Sequence, residues 1–189
     1  TGAMGAGKTT VGSSLIAEYI RLYGGLGFSV EDPPELPLDG VYHTVSGKSG
    51  VILQCPVETT YSNSISHLVR QQSRYIFVGE VASAEVASEV IKAGAVGHTV
   101  ITTLSAASIE DAAAQLVAIA GGGEPRETLA KSMQAIIHLD RADEARTATP
   151  LFFNEQHDPQ RQARAAIHSG RPTAITAEAK RQKNTRAKG

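Results

Sequence analysis

A phosphate-binding loop at the start of the chain constrains its fold more than any other feature. Residues 2–9 read GAMGAGKT and match the pattern G-x-x-x-x-G-K-[ST] at every fixed position. Glycines let the backbone of such a loop turn its N–H groups inward, and the helix that follows adds its positive N-terminal end. The pattern therefore predicts a loop that binds phosphate oxygens and leads into a helix.

The loop supplies the first candidate binding residues. Lys8 is predicted to reach the β- and γ-phosphates of a nucleotide, and the Thr9 hydroxyl is predicted to coordinate Mg²⁺. ATP and Mg²⁺ are therefore the expected ligands. The residues predicted to bind nucleotide are Gly2, Ala3, Met4, Gly5, Ala6, Gly7, Lys8, Thr9 and Thr10.

The sequence around the loop contains the helix that such a motif requires, but not the strand. Apolar residues recur at helical spacing from Val11 to Tyr23, and Gly24-Gly25 ends the run. No residues precede Thr1 that would form the strand before the loop. We therefore expect this chain to be the C-terminal part of a longer protein.

Composition and charge narrow the class of protein. The 189 residues allow one domain with a sizeable core, and 41% hydrophobic with 20% charged residues is typical of a globular protein. No apolar run approaches the roughly 20 residues of a membrane-spanning helix. Cys55 is the only cysteine, which excludes an internal disulfide framework, and no cysteine–histidine cluster indicates zinc.

Positive charge concentrates at the C-terminal end. Residues 159–189 contain eight Lys or Arg and one acid, whereas acids are in excess over the rest of the chain. Such a segment either binds an anionic surface, of nucleic acid or membrane, or is simply solvated and mobile. We expect the second case, with residues 180–189 forming a disordered basic tail.

Strand-like runs alternate with helical stretches over residues 1–125, and this order predicts an α/β domain with a mainly parallel sheet. Residues 126–179 are expected to form a small, mainly helical C-terminal part, with helices at 127–138 and 158–169 and a possible strand at 151–153. The predicted strands of the first part are 26–30, 51–55, 75–78 and 99–104. Its predicted helices after the first are 62–74, 83–93 and 108–120, with Ser83 and Ser108 as N-caps.

Polar side chains end three of the predicted strands: Glu31, Glu80 and Ser105. Ligands of doubly wound sheets bind outside the carboxyl ends of the strands, so these residues are expected to gather at one edge. Glu80 is predicted to hold Mg²⁺ and its waters, with Gly79 standing where an aspartate is usual. Glu31 is predicted to be the general base for the attacking water. On spacing alone, Glu31 can equally belong to a solvated loop with Asp32 and Glu35, and the alternative for Glu80 is an ordinary loop acid.

A histidine and an arginine complete the candidate site. A neutral His98, before the strand at 99–104, can donate a hydrogen bond near the γ-phosphate and report nucleotide state. A lone histidine is more often structural. Arg70 and Arg74 lie four residues apart before the strand that leads to Glu80, and they can meet phosphate charge here or in a neighbouring subunit. A solvated helix face is the commoner explanation.

Taken together, these motifs resemble the ATPases of type II and type IV secretion systems, type IV pili and conjugation. Residues 30–35, VEDPPE, resemble the acidic box of that family, and FVGE at 77–80 resembles its modified Walker B motif. GHTVITTL at 97–104 resembles its histidine box. The resemblance covers residues 1 to about 170, because RAAIHSG at 164–170 is similar to a C-terminal helix of the family.

The resemblance implies a RecA-like P-loop domain in a homo-hexameric ring that hydrolyses ATP to drive a conformational change. It implies Glu31 as general base, Glu80 as Walker B acid and His98 as the histidine-box residue. It also implies a location in the cytoplasm at the inner face of the bacterial inner membrane, with attachment through inner-membrane platform or secretion-system proteins. Sequence-specific nucleic acid is not an expected partner.

The sequence departs from the family pattern at three positions. Ser66 and Ala82 stand where arginines are common, and Ser105 stands where a histidine is common. The tetracysteine motif of the export ATPases is absent, so the pattern is nearer to the retraction and conjugation branch. These departures leave a second hypothesis open, a nucleotide-binding regulatory module with little turnover. A P-loop kinase is a third, but no lid or acceptor site is found for it.

Overall fold

A computed structural model of the protein describes residues 1–44, 47, 49–57, 60–121, 123–142, 145–171 and 173–186. The chain divides into two compact units. Residues 8–103 form one, here called the sheet unit, and residues 1–7 with 104–189 form the other, here called the hairpin unit. Among the described residues, no helix is both long enough and apolar enough to cross a membrane.

The sheet unit has a five-stranded sheet with the strand order β2-β3-β1-β4-β5. Strands β3, β1, β4 and β5 are parallel, and the edge strand β2 is antiparallel to β3. The mainly parallel α/β sheet predicted from the sequence is therefore confirmed, although β2 was not predicted. The elements are α1 (Lys8–Tyr23), β1 (Gly25–Glu31), β2 (Gly40–His43), β3 (Ser49–Pro56), α2 (Tyr61–Arg70), β4 (Tyr75–Val78), α3 (Ala84–Ala95) and β5 (Thr99–Thr102).

Helix α1 packs closely on the middle of this sheet. Ile16 and Ile20 are fully buried in a core that also contains Phe77 of β4. The backbone of α1 approaches the sheet so closely that a Cβ added at Gly12 would lie 2.6 Å from Cε2 of Phe77. The residue that permits this packing is therefore a glycine, one helical turn after the start of α1.

The register of the parallel strands brings their carboxyl ends to one edge of the sheet. Val30 of β1 is paired with Val78 of β4, and Val78 is paired with Thr102 of β5. All four residues of β4 are buried, as expected for a parallel strand covered on both faces. Side chains that directly follow these strands, including Glu31 at the end of β1 and Glu80 after β4, therefore lie at the same edge.

The hairpin unit contains four helices and one β-hairpin among its described residues. Strands β6 and β7 are antiparallel over their whole length, from the pair Ala135 and Phe152 to the pair Ala142 and Ala145. The elements are α4 (Ile109–Ala120), α5 (Glu124–Ser132), β6 (Ala135–Ala142), β7 (Ala145–Phe152), α6 (Gln162–Ser169) and α7 (Thr173–Arg186).

Two predicted helix N-caps have the expected geometry. The Ser83 hydroxyl accepts a hydrogen bond from the Val86 amide at 3.3 Å, and the Ser108 hydroxyl accepts one from the Asp111 amide at 3.0 Å. Both serines have extended backbone angles and precede α3 and α4 directly. A hydroxyl in this place satisfies an amide that has no partner within the helix.

The C-terminal part differs from the mainly helical prediction. The helix expected over residues 127–138 ends at Ser132, and residues 135–138 belong instead to β6. The strand expected at 151–153 is the end of the longer strand β7. The helix expected from residue 158 begins at Gln162, and the Asp158 carboxylate caps it by accepting from the amides of Gln162 and Ala163 at 2.7 and 3.0 Å.

The predicted disordered tail is also corrected, because α7 continues to Arg186. The Gln182 side chain accepts a hydrogen bond from the Phe152 amide at 2.9 Å and donates one to the Phe152 carbonyl at 2.8 Å. Buried Glu178 accepts hydrogen bonds from Arg181 and from Gln182. These contacts attach α7 to the edge of β7. Residues 187–189 of the predicted tail lie outside the described residues.

Candidate functional site

The glycines of the phosphate-binding loop have the backbone that the motif requires. Gly2 forms isolated parallel bridges with Ser105 on one side and Leu139 on the other. Its φ is +149°, and a Cβ there would lie only 2.4 Å from the Leu139 carbonyl oxygen. Gly5 and Gly7 also have positive φ angles, of +75° and +91°. Residues with side chains resist such angles, so the loop depends on its glycines.

The loop leads directly into the N-terminus of α1, which begins at Lys8. The first amides of a helix have no partner within it, and they attract anions together with the helix dipole. The first turn of α1 contains no acidic residue that would neutralise this end. Lys8 and Thr9 are half-buried, Thr10 is exposed, and Met4 in the loop is almost fully exposed at 95%.

Two arginines that the sequence did not single out stand beside the loop in the hairpin unit. Built Cβ positions at Gly5 and Gly7 lie 4.0 Å from Nη1 of Arg141 and 3.4 Å from Nη1 of Arg146. The two arginines are paired across the β6–β7 hairpin. Two arginines five residues apart are too common in sequences to be recognised as neighbours of a phosphate-binding loop. Their position follows only from the hairpin, which the sequence did not predict.

Glu31 is a buried carboxylate at the carboxyl edge of the sheet. It ends β1, and its exposed fraction is only 3%. The Ser29 hydroxyl donates a short hydrogen bond to Oε1 of Glu31. Buried acids are rare unless they are paired or hydrogen-bonded, and within the described part of the chain the partner given for this carboxylate is a neutral hydroxyl, not a cation. Such a group is a functional candidate.

Tyr61 joins this acidic edge, although the sequence gave no reason to select it. Burial raises the pKa of the Tyr61 phenol, and the negative charges of Asp32, Glu31 and Glu80 raise it further, against a hydrogen bond with the Asp32 backbone that lowers it. The structure thus brings the two predicted acids, Glu31 and exposed Glu80, close enough to act on one phenol. With a raised pKa, the phenol keeps its proton at neutral pH and can donate a hydrogen bond.

His98 lies at the other end of the sheet from these acids. It immediately precedes β5, and Thr99 at the start of β5 is paired with Tyr75 at the start of β4. A hydrogen bond of 2.5 Å joins Nδ1 of His98 to the Ser73 carbonyl. Because this carbonyl can only accept, the contact fixes the proton on Nδ1. The structure does not bring His98 together with Glu31 and Glu80, and its observed contact joins β5 to the loop before β4.

Arg70 is also not brought to the acids. It is exposed at the end of α2, and its Nε donates to the Ser66 carbonyl of the same helix at 3.2 Å. Ser66, which stands where an arginine is common in the family, instead donates from its hydroxyl to Oε2 of Glu89 in α3 at 2.7 Å. Lys92 donates to Oε1 of the same carboxylate at 2.7 Å. Ser66 therefore links α2 to α3.

The predicted magnesium ligands suit that ion by their chemistry. Mg²⁺ prefers hard oxygen donors, and it is usually bound by one or two protein groups together with phosphates and waters. The Thr9 hydroxyl and the Glu80 carboxylate are such donors. Within the described part of the chain, no group of three or more His, Cys, Asp or Glu side chains is arranged to hold a metal. This donor set fits an ion that arrives with its nucleotide.

The mainly parallel sheet, the glycine loop that leads into α1 and the acids at the carboxyl edge define the chain as a RecA-like P-loop domain. It belongs to the type II/IV secretion system protein family, whose model matches residues 1–187. The family expected from the motifs is thereby confirmed.

Relatives with established names agree with this assignment. The type II secretion system protein HxcR of Pseudomonas aeruginosa is 31% identical over 139 residues, which are 72% of this chain and 27% of that protein. The type IV pilus assembly ATPase PilB of the same species is 31% identical over 147 residues, which are 72% of this chain and 22% of that protein. The chain spans about a quarter of the length of these relatives.

Solved structures share the fold over almost the whole chain. The ATPase DotB of Legionella pneumophila superposes with a TM-score of 0.73 at 25% identity, covering 96% of this chain and 50% of that chain. The pilus retraction motor PilT, solved with bound ADP, also gives a TM-score of 0.73, at 23% identity, covering 94% of this chain and 51% of that chain. The PilT comparison, at lower identity, bears on the fold alone.

Proposed function

We propose that this chain is the catalytic domain of an ATPase motor that powers a bacterial secretion, type IV pilus or conjugative transfer system. The observation that carries the proposal is the buried Glu31 carboxylate at the carboxyl edge of the parallel sheet, the edge at which Glu80 follows β4. A buried acid held by a hydroxyl rather than by a cation remains able to accept a proton. That is the property a general base requires.

Glu31 takes the proton of the attacking water in this proposal. The Ser29 hydroxyl holds Oε1, which fixes the orientation of the carboxylate and makes Oε2 the oxygen that receives the proton. The pKa of Tyr61 is raised by burial, so its phenol keeps its proton at neutral pH and can donate a hydrogen bond to the water. Positioning of this kind supplies much of the acceleration in phosphoryl transfer.

The phosphates bind at the glycine loop and the start of α1. Lys8 contacts the β- and γ-phosphates, and the amides of residues 2–10 hold the phosphate oxygens. Arg141 and Arg146, whose guanidinium groups stand beside Gly5 and Gly7, add positive charge beside the glycine loop. Thr9 and Glu80 are the residues that would hold Mg²⁺, which would neutralise phosphate charge when it is bound with ATP.

The wider role follows from the family. We propose that six copies form a ring, that the ring works at the cytoplasmic face of the inner membrane, and that it attaches there through platform or secretion-system proteins. HxcR, named as a type II secretion protein, and PilB, named as a pilus assembly ATPase, support this class of partner. No sequence-specific nucleic acid is part of the proposal.

Steady-state Mg-ATP hydrolysis by the full-length protein and its Glu31→Gln variant tests this function. Glutamine keeps the shape of the side chain but cannot act as a base, so we expect turnover to fall by about 10²–10⁴-fold with ATP binding retained. Glu35→Gln is the matched control, because Glu35 is exposed on the same segment and loses the same charge. The control is expected to keep its turnover.

A second candidate function is a nucleotide-dependent regulatory module with little turnover. The contacts of two residues favour it. Ser66, which stands where an arginine is common in the family, is bonded to Glu89, and Arg70 is bonded to the Ser66 carbonyl, so neither position supplies positive charge to Glu31 and Glu80. Wild-type protein that binds ATP without hydrolysing it would support this module and exclude the motor. Turnover that is lost only in Glu31→Gln would exclude the module.

A further inference from the structure

Gly79 has no role in the chemistry proposed above, yet it stands where a Walker B motif normally carries an aspartate. It directly follows β4, next to Glu31 at the end of β1. A Cβ added at Gly79 would lie 3.3 Å from Cγ of Glu31, and 3.6 Å from both Cα and Cβ of the same residue. All three nearest atoms belong to Glu31.

The space beside Gly79, rather than its backbone angles, is what requires a glycine. Its φ lies outside the left-handed region, whereas eleven other glycines of the described chain have positive φ angles. An alanine can therefore adopt the backbone conformation of Gly79 without strain. Among the described residues, the three atoms nearest to an added Cβ all belong to Glu31, so the close approach of Glu31 is the obstacle to a side chain at this position.

Neither partner can move away easily. The Gly79 amide donates to the Val30 carbonyl at 2.9 Å, and the Gly79 carbonyl accepts the hydroxyl of buried Thr103. The Val81 amide donates to the Thr103 carbonyl at 3.0 Å, which fixes the backbone just beyond. On the other side, Glu31 is 3% exposed, and the Ser29 hydroxyl holds its carboxylate.

We propose that Gly79 is a positioning residue for Glu31. The missing side chain leaves the room that the Glu31 side chain needs to cross the end of β4 and present its carboxylate at the sheet edge. A side chain such as the usual aspartate would crowd the base, and in this proposal Glu80 serves as the Walker B acid. This inference rests on the proposed function of Glu31 as general base.

The kinetic test compares Gly79→Ala with Gly27→Ala in the full-length protein. Both glycines have backbone angles suited to alanine, and at both the closest atom to an added Cβ is 3.3 Å away. At Gly27 that atom is Cδ1 of Ile20, the end of a flexible side chain on α1. We expect kcat to fall about ten-fold in Gly79→Ala with KM for ATP unchanged, and to stay within about two-fold in Gly27→Ala.

A stability cycle tests the same contact without reference to hydrolysis. Gly79→Ala is expected to lower Tm by about 2–4 °C in the wild-type background, because an added Cβ presses on Cγ of Glu31. In a Glu31→Ala background, Cγ is gone, and the same substitution is expected to leave Tm nearly unchanged. Non-additivity of this kind reports a direct contact between the two positions.

The outcomes separate this inference from the proposed function. Turnover in Gly79→Ala equal to that in Gly27→Ala, or equal Tm losses in both backgrounds, overturns the positioning role even when Glu31→Gln is inactive. If the wild-type protein does not hydrolyse ATP, the motor proposal fails. The stability cycle then still decides whether Gly79 makes room for Glu31.

Discussion

Gly12 lies inside α1 although glycine is a poor helix former, because α1 packs there directly against Phe77. Glycine inside a helix costs about 1 kcal/mol relative to alanine. A Cβ at this position of α1 would, however, lie 2.6 Å from Cε2 and 3.0 Å from Cζ of buried Phe77. We expect Gly12→Ala to lower the free energy of unfolding by about 1–3 kcal/mol, measured by urea denaturation. Adding Phe77→Leu should recover part of the loss, and a Gly12→Ala variant more stable than wild type would contradict this packing.

At the level of single residues, the sequence predicted those that belong to a short contiguous motif or that end a recognisable strand. The glycine loop with Lys8 and Thr9 is contiguous, and Glu31 was found because it ends a recognisable strand. Ser29 and Tyr61 were missed because a hydroxyl near an acid becomes significant only when the fold places it there. The position of His98 relative to the acids could not be predicted for a related reason. The motif gave its spacing, but not the end of the sheet at which it lies.

Helix α7 provides a prediction at the scale of one element. Burial by itself raises the pKa of the Glu178 carboxyl, but hydrogen bonds from Arg181 and Gln182 and the charge of Arg181 more than offset it, so that the pKa lies below its usual value. A lowered pKa contributes stability that is complete above the unfolded-state pKa of about 4.3 and is lost as pH falls through the folded-state pKa. We therefore expect wild type to exceed Glu178→Gln in Tm at pH 7, and this advantage to shrink progressively below about pH 5.

Thermal unfolding of the two proteins from pH 7 to pH 3.5 measures this difference. Glu155→Gln is the matched control, because Glu155 pairs with Arg161 at 3.0 Å while its side chain is 83% exposed. An exposed ion pair of this kind contributes little to stability, so the Tm of Glu155→Gln is expected to equal that of wild type at every pH. A Tm difference between wild type and Glu178→Gln that is the same at all pH values would contradict the linkage.

At the same scale, the sequence predicted elements whose pattern is local and missed those fixed by distant partners. The caps Ser83 and Ser108 were predictable because each hydroxyl bonds an amide three residues away. Residues 135–138 have helix-compatible spacing but form a strand, because β7 supplies their hydrogen-bond partners across the hairpin. Helix α7 was missed because polar Glu178 and Gln182 are buried in it, which composition cannot reveal.

For the whole molecule, nucleotide binding is expected to appear as added stability. A ligand that binds only the folded state stabilises it by about 2.7 kcal/mol at one hundred times its Kd. We expect a non-hydrolysable ATP analogue with Mg²⁺ to raise the Tm of the full-length protein, and Lys8→Ala to abolish that rise. Lys131→Ala is the control, because Lys131 is exposed on α5, where its side chain forms a 3.9 Å ion pair with Glu127. An undiminished rise in Lys8→Ala would remove the loop from the binding site.

The contact between α7 and β7 has a practical consequence for anyone who shortens the chain. On composition alone, a truncation would be placed near Lys180, where the sequence becomes strongly basic. Such a cut removes Gln182, whose amide occupies both backbone groups of Phe152 much as a neighbouring strand would. An uncovered strand edge is a template for pairing with another molecule. Trimming this apparently dispensable end is therefore expected to produce aggregation rather than a better-behaved sample.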